Sequence, residues 1–288
     1  MGIDLHIHSN ASGDGEFTAE ELVKMAKEMR LEAIAIADHD TVGSVEEGLF
    51  WGEKHGVEVI PACEFSSYYN GVMLHILGYY LDLYNPEMQE LNKKVEEDRQ
   101  EIVDRQIEKL RSGGFFIDKD KVMENCNYTI PYPGTYTNVI FANPQNKDNP
   151  IIQEYLRKPD YLMQFIFDYL IEGKPYYISQ FIPEAVDVIQ IIKRGGGIPV
   201  LAHPGAGLKE EETPIIDELI GCGVEGLEVY TSHHSQKQEE YYFNYCRRKG
   251  LILTCGSDFH GKFKPKVKMG DIRNNTYDVL EKLKSKID

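Results

Sequence analysis

Positive charge is in short supply in this chain of 288 residues: 31 Lys and Arg stand against 47 Asp and Glu, a formal net charge of −16. Binding along a nucleic-acid backbone depends on lysine and arginine neutralising phosphates, so no stable DNA complex is expected. A small anionic substrate remains compatible, because bound metal ions reverse the local sign. Cysteine is scarce too. Cys63, Cys126, Cys222, Cys246 and Cys255 are odd in number and form no Cys-x-x-Cys. A disulfide framework or zinc ribbon is therefore not expected, and each reads as a buried thiol. No apolar run reaches the ~18 residues of a membrane-spanning helix. The first strand begins at residue 2, leaving no room for a signal peptide, and a cytoplasmic protein without membrane contact is expected.

What is present is ordinary globular material, 42% hydrophobic and 27% charged, enough for one large domain or a barrel with an insertion. Apolar runs at 2–8, 33–37, 57–62 and 73–80 predict strands. Capping boxes at Thr18-x-x-Glu21 and Ser44-x-x-Glu47 predict helix starts between them. Such alternation means an α/β fold with a largely parallel sheet. The pattern breaks at Asn85-Pro86, where a charged helix with a thin apolar stripe (Leu91, Val95, Ile102, Leu110) runs to about Gly113. Residues 128–150, rich in Asn, Pro, Gly and Tyr, read as loops and short turns. Residues 153–173 read as helix interrupted at Pro159. Residues 86–182 are thus expected to form an inserted, mostly helical subdomain capping one end of the fold. Alternation resumes at Pro183, with strands at 198–202, 224–230 and 251–255 and a third capping box, Ser235-x-x-Gln238. Seven strands over 1–85 and 183–288 suit a (β/α) barrel one unit short of eight.

The chemistry-bearing residues cluster at these strands. His6 and His8 are two apart, so a strand puts both imidazoles on one face. Asp38 and His39 follow the second strand and Glu64 the third; His75 lies within the fourth. His203 follows the fifth, and Asp258 and His260 the last. Asp14 sits in the first loop. In parallel barrels the C-terminal strand ends form the rim where active sites assemble. One rim histidine has a bland explanation; six with carboxylates predict a polynuclear metal site. Imidazole and carboxylate without thiolate suit zinc, manganese or iron at a reactive centre better than a structural zinc site. Glu64 is placed to bridge two ions roughly 3.5–4 Å apart.

Five segments, Asp4-Leu5-His6-Ile7-His8, Ala37-Asp38-His39-Asp40-Thr41, Pro61-Ala62-Cys63-Glu64, Ala202-His203-Pro204 and Gly256-Ser257-Asp258-Phe259-His260-Gly261, resemble in order and spacing the motifs of the PHP (polymerase and histidinol phosphatase) family. The resemblance covers residues 2–85 and 183–262. It implies a distorted seven-stranded, TIM-like (β/α) barrel holding two to three divalent ions (Mn, Zn or Fe). His6, His8, Glu64 and Asp258 would hold one; Glu64 would bridge to a second, held also by His75 and His203; Asp14, His39 and His260 would hold a third. Asp14 takes a position where some members have histidine. The inserted subdomain, Gly195-Gly196-Gly197 and the Glu228-Val229-Tyr230 stretch resemble the branch acting on nucleoside 3′,5′-bisphosphates and the 5′ ends of short RNAs. That branch usually carries an Arg-x-His element in the insertion; the corresponding region here, 134–139, has neither residue. Arg157 and Lys158 are candidate replacements.

The implied reaction is phosphomonoester hydrolysis by a metal-bridged hydroxide, the substrate being a small phosphorylated molecule, nucleotide or short RNA. Asp38 is a candidate to orient a ligand histidine, His234 to contact phosphate or protonate the leaving oxygen, and Ser257 to contact substrate. His233 and His55 read as surface residues. Tyrosines at 128–136 and 241–245 are candidate stacking platforms. Two alternatives stay open: a phosphatase for histidinol phosphate or another small phosphometabolite, and a metal-bound nucleotide-binding or sensor subunit without turnover.

Overall fold

The computed structural model describes residues 2–126, 131–209 and 213–287. Two compact units emerge. One joins the residues up to Asn92 with those from Ile182 onward; the other is Lys93–Phe181.

The first unit is built on a seven-stranded sheet in the order β1 (Gly2–Ile7), β2 (Leu31–Ile36), β3 (Glu58–Tyr69), β4 (Val72–Tyr79), β5 (Ile198–Leu201), β6 (Gly226–Thr231) and β7 (Ile252–Gly256). β7 returns to β1: the Asp258 N–H donates to His6 O at 2.8 Å and the His8 N–H to Phe259 O at 2.9 Å. The result is a nearly closed barrel with helices outside. Helix Ala19–Glu28 shows the outer packing, its Leu22, Val23 and Ala26 burying against Ile7, Ile34 and Ile36. Each such buried aliphatic side chain contributes ~1.5–3 kcal/mol. The capping boxes at Thr18 and Ser235 form. The one at Ser44 does not, because its hydroxyl is bonded to Asp38 instead.

The sheet departs from the largely parallel expectation at β4, which runs antiparallel to both neighbours. β3 does not stop near residue 62 but continues to Tyr69, and Asn70-Gly71 turns it directly into β4 with φ of 49° and 78°. Two left-handed residues make the type I′ turn that joins antiparallel strands; a parallel pair needs a crossover of a dozen residues or more.

In the second unit, Phe165 packs edge-on against Phe115, Phe141 and Tyr155, with ring centroids 5.3–5.5 Å apart. The expectation of loops over 128–150 is corrected: Pro133–Ala142 and, from Pro150, Pro150–Tyr155 are helices, each with proline in the first turn. The first is buried on nearly every side, so no one-sided apolar period marks it. Residues 127–130, including the candidate platform Tyr128, lie outside the described residues. Tyr136 is buried in the unit's core.

Candidate metal centre

Strand alternation sets up the site. In β1, Ile3, Leu5 and Ile7 alternate with Asp4 and His6, all buried. At the rim His6 and His8 join residues from the segments of all six other strands, all within the first unit. His39 follows β2 and is bridged to Glu64 in β3. His75 faces Ser66 across the hairpin; because β4 runs backwards, its N-terminal part lies at the rim where the parallel strands end. That is why a histidine early in a strand joins residues that follow strands. His203, Glu228 and Asp258 come from β5, β6 and the end of β7. His203 and Asp258 have φ of 24° and 58°, a backbone conformation costing about 1–3 kcal/mol that is retained where the surroundings fix it.

Glu64 is the hub. Its Oε2 lies 3.2 Å from His6 Nε2, 3.3 Å from His8 Nε2 and 3.1 Å from His39 Nδ1. Its Oε1 lies 2.8 Å from His75 Nδ1 and 2.9 Å from His203 Nε2. Asp258 Oδ1 closes the first set, 3.1 Å from His8 Nε2 and 3.7 Å from His6 Nε2. Asp14 Oδ2 lies 3.2 Å from His260 Nε2 and 3.4 Å from His39 Nε2, and His8 completes that group. Burial pushes the Glu64 carboxyl up, but His6, His75 and His39 outweigh it and hold it well below the usual range. Burial lowers the His6 ring, yet Glu64 and Glu228 hold it well above its ordinary value. His39 is pushed down to about 3, mainly by burial.

These donors fit metal ions. His6 Nε2 and His8 Nε2 face each other at 3.1 Å with two carboxylate oxygens beside them, more lone pairs than two imidazole protons can satisfy. Glu64 Oε2, His8 Nδ1 and His39 Nδ1 are buried with no aligned hydrogen-bond partner. Donors that converge on shared points with lone pairs to spare could hold divalent metal ions. The Cys63 thiol takes no part: it donates to Asp38 O, and burial raises its pKa well above the ordinary value.

The supporting roles differ from the expectations. Asp38 orients no histidine; its oxygens accept the Ser9 N–H and hydroxyl, both at 2.7 Å, and the Ser44 hydroxyl. Glu228 does that work instead: Oε1 lies 2.9 Å from His6 Nδ1 and Oε2 accepts the His203 N–H at 2.9 Å. A carboxylate on the second ring nitrogen fixes tautomer and orientation. An acidic residue inside an otherwise apolar strand was the available signal. Ser257 is fully buried and gives both its N–H and its hydroxyl to Asp4, so it cannot reach substrate. Burial raises Asp4 to about 6 despite these bonds.

His233 and His234 exchange places. His234 is buried, with Nδ1 bonded to Val229 O and Nε2 accepting the Gly205 N–H, both at 2.9 Å; neither nitrogen is left for substrate. His233, expected at the surface, reaches Asp258 Oδ2 at 2.5 Å, and Lys264 Nζ contacts the same oxygen. In the second unit, Lys158 pairs with Glu154 at 2.8 Å over the Tyr155 ring, and Arg157 is exposed. Tyr242 stacks on His234 and Tyr245 bonds Asp217, so these tyrosines pack as structural residues.

Comparison with known proteins gives a consistent picture. The PHP domain profile matches residues 4–101. A phosphoribosyl 1,2-cyclic phosphate 1,2-diphosphodiesterase of Eggerthella lenta is 26% identical over 90% of this chain and 94% of its own length. A 3′,5′-nucleoside bisphosphate phosphatase of Chromobacterium violaceum is 28% identical over 90% of this chain and 87% of its own. A crystal structure from Bifidobacterium adolescentis, described as a candidate metal-dependent phosphoesterase, superposes with a TM-score of 0.82 at 26% identity, covering 99% of this chain and 96% of that one. With imidazole and carboxylate donors gathered at the barrel rim, the chain carries a PHP domain match over residues 4–101 and is similar along nearly its whole length to metal-dependent phosphoesterases.

Proposed function

We propose that this phosphoesterase hydrolyses a small phosphomonoester, nucleotide-like in size, at a centre of two to three divalent ions. The observation that carries the reading is Glu64, whose two oxygens are shared among five histidines. His6, His8, Glu64 and Asp258 would hold one ion, Glu64 with His75 and His203 a second, and Asp14, His39 and His260 a third. Manganese, zinc and iron are the candidates. Ions bound there supply Lewis acidity toward phosphoryl oxygens and lower the pKa of a water toward ~7.

The chain's own residues do the rest. Glu228 holds the His6 ring and the His203 backbone. Lys264 and His233, both at Asp258 Oδ2, are the groups offered to the non-bridging phosphate oxygens. His233, whose Nε2 lies against Asp258 Oδ2, also supplies a proton to the leaving oxygen. A nucleoside phosphate is supported by the Chromobacterium relative; the Eggerthella relative supports a second reading, a cyclic sugar phosphate.

The test is phosphate release from nucleoside bisphosphates, short RNAs, sugar phosphates including cyclic ones, and histidinol phosphate, each with manganese, zinc and iron. Release from at least one, lost in a His8→Ala, Asp258→Ala double variant, is expected. Unchanged release in that variant overturns the metal assignment. Tight nucleotide binding with no release from any substrate points to a sensor.

A further inference from the structure

One side of the metal cluster opens into a recess that the reaction as described does not use. It measures about 280 Å³ and lies between the start of β4, the end of β5 and the turn Pro204–Gly207. His75 and His203 line it together with apolar residues, among them Met73, Pro204, Ala206 and Leu208. The two histidines that bind Glu64 Oε1 therefore also face this space. A group covalently attached to a phosphate over the cluster reaches the recess without leaving the rim. The histidine rings stand edge to face at 5.3 Å.

The recess is chemically unlike its surroundings. The cluster beside it is carboxylate and imidazole, whereas the rest of the lining is apolar and includes a thioether, a pyrrolidine ring, a methyl and an isobutyl group. Met73 is 43% exposed although it is a large apolar side chain. Apolar area beside a charged centre is stabilised when an apolar group covers it, and a methionine sulfur favours an aromatic partner. Ligand pockets usually span ~300–1,000 Å³. Just below that range, the recess takes one ring system and not a chain of nucleotides.

We propose that this recess binds the leaving group of the substrate as a planar aromatic ring, a single nucleobase being the fitting class, and so sets specificity for mononucleotide-sized esters over ring-less ones. The inference rests on the phosphoesterase reading and adds to it the identity of the leaving group.

Ala206 is exposed, so Ala206→Phe fills the recess from the solvent side without disturbing the core; Met73→Ser removes part of its wall. With manganese-loaded protein, kcat/KM is measured on a nucleoside monophosphate and on glycerol phosphate, with the melting temperature and metal content checked. The preference for the nucleotide is expected to fall at least tenfold in Ala206→Phe and several-fold in Met73→Ser. Calorimetric binding of the nucleoside monophosphate, relative to inorganic phosphate, reads the recess without turnover and should weaken in parallel. Equal losses on both ligands, or no loss on either in a folded, metal-replete variant, overturns the proposal. No phosphate release from either substrate, with nucleotide binding still weakened by Ala206→Phe, overturns the hydrolytic reading while supporting the recess.

Discussion

Asp258 divides its two oxygens. Oδ1 faces His8, while Oδ2 faces His233 and Lys264. Burial pushes this carboxyl up, but bonds to His233 and His8 outweigh it and keep it well below the usual range. It therefore stays ionised and links the proposed ligand set to the two groups proposed to meet substrate. A charge-assisted hydrogen bond contributes ~1.5–3 kcal/mol, so Lys264→Met should raise KM for a phosphomonoester roughly 10- to 100-fold, with metal content unchanged. Lys264→Arg should recover much of it. His233→Asn should act on kcat instead, by the ~10²–10⁴ typical of general acid catalysis. His234→Ala should lower thermal stability by about 1–3 kcal/mol, because it leaves Val229 O and the Gly205 N–H without their partner. Steady-state kinetics with a melting curve separates the two neighbours. That distinction is not legible in the sequence: two adjacent histidines after a strand differ only in the direction the turn gives them. Asp38 and Glu228 teach the same lesson, since a carboxylate beside a ligand in sequence need not be its neighbour in space.

At the level of strands, the site exists only where β1 meets β7, and Gly256 makes that meeting possible. A Cβ there would lie 2.1 Å from His6 Cβ and 2.7 Å from Glu228 Oε1. Real Cβ contacts do not come so close, and the neighbours are backbone-proximal or already bonded. Gly256→Ala should therefore part β7 from β1, lowering the melting temperature and the bound metal measured by elemental analysis. A variant retaining both would show that closure tolerates a wider gap. Seven strands and their order of appearance are legible because each is an apolar run between turn and capping signals. The direction of β4 is not read from apolarity, since parallel and antiparallel buried strands look alike; only Asn70-Gly71 carries it. The helix Pro133–Ala142 escapes for a related reason. Gly134, Thr135, Tyr136 and Thr137 are buried in succession, so no one-sided apolar period reveals the helix.

For the whole molecule, the cluster is a concentration of like charge inside an already acidic chain. Asp14, Glu64, Glu228 and Asp258 converge on one rim, and the chain carries a formal −16. Without metal, these carboxylates are balanced by His6, His8 and His75, whose rings they hold above the ordinary value, and by Lys264; bound metal ions would take over that balance and the rings would give up their protons. Two consequences follow. Ions that bind only the folded chain stabilise it by about 4 kcal/mol when present at 1,000 times their dissociation constant. For a unit of roughly 200 residues each kcal/mol moves the midpoint by ~2–4 °C. Chelation should accordingly lower the melting temperature on the order of 10 °C, and manganese, zinc or iron should restore it. Because protons compete with metal for the same nitrogens, the gap between metal-loaded and chelated protein should narrow as the pH falls. Differential scanning fluorimetry at a series of pH values, with and without chelator, reads both effects. A gap that stays constant from alkaline to acidic pH would mean that stabilising ions bind away from the histidines.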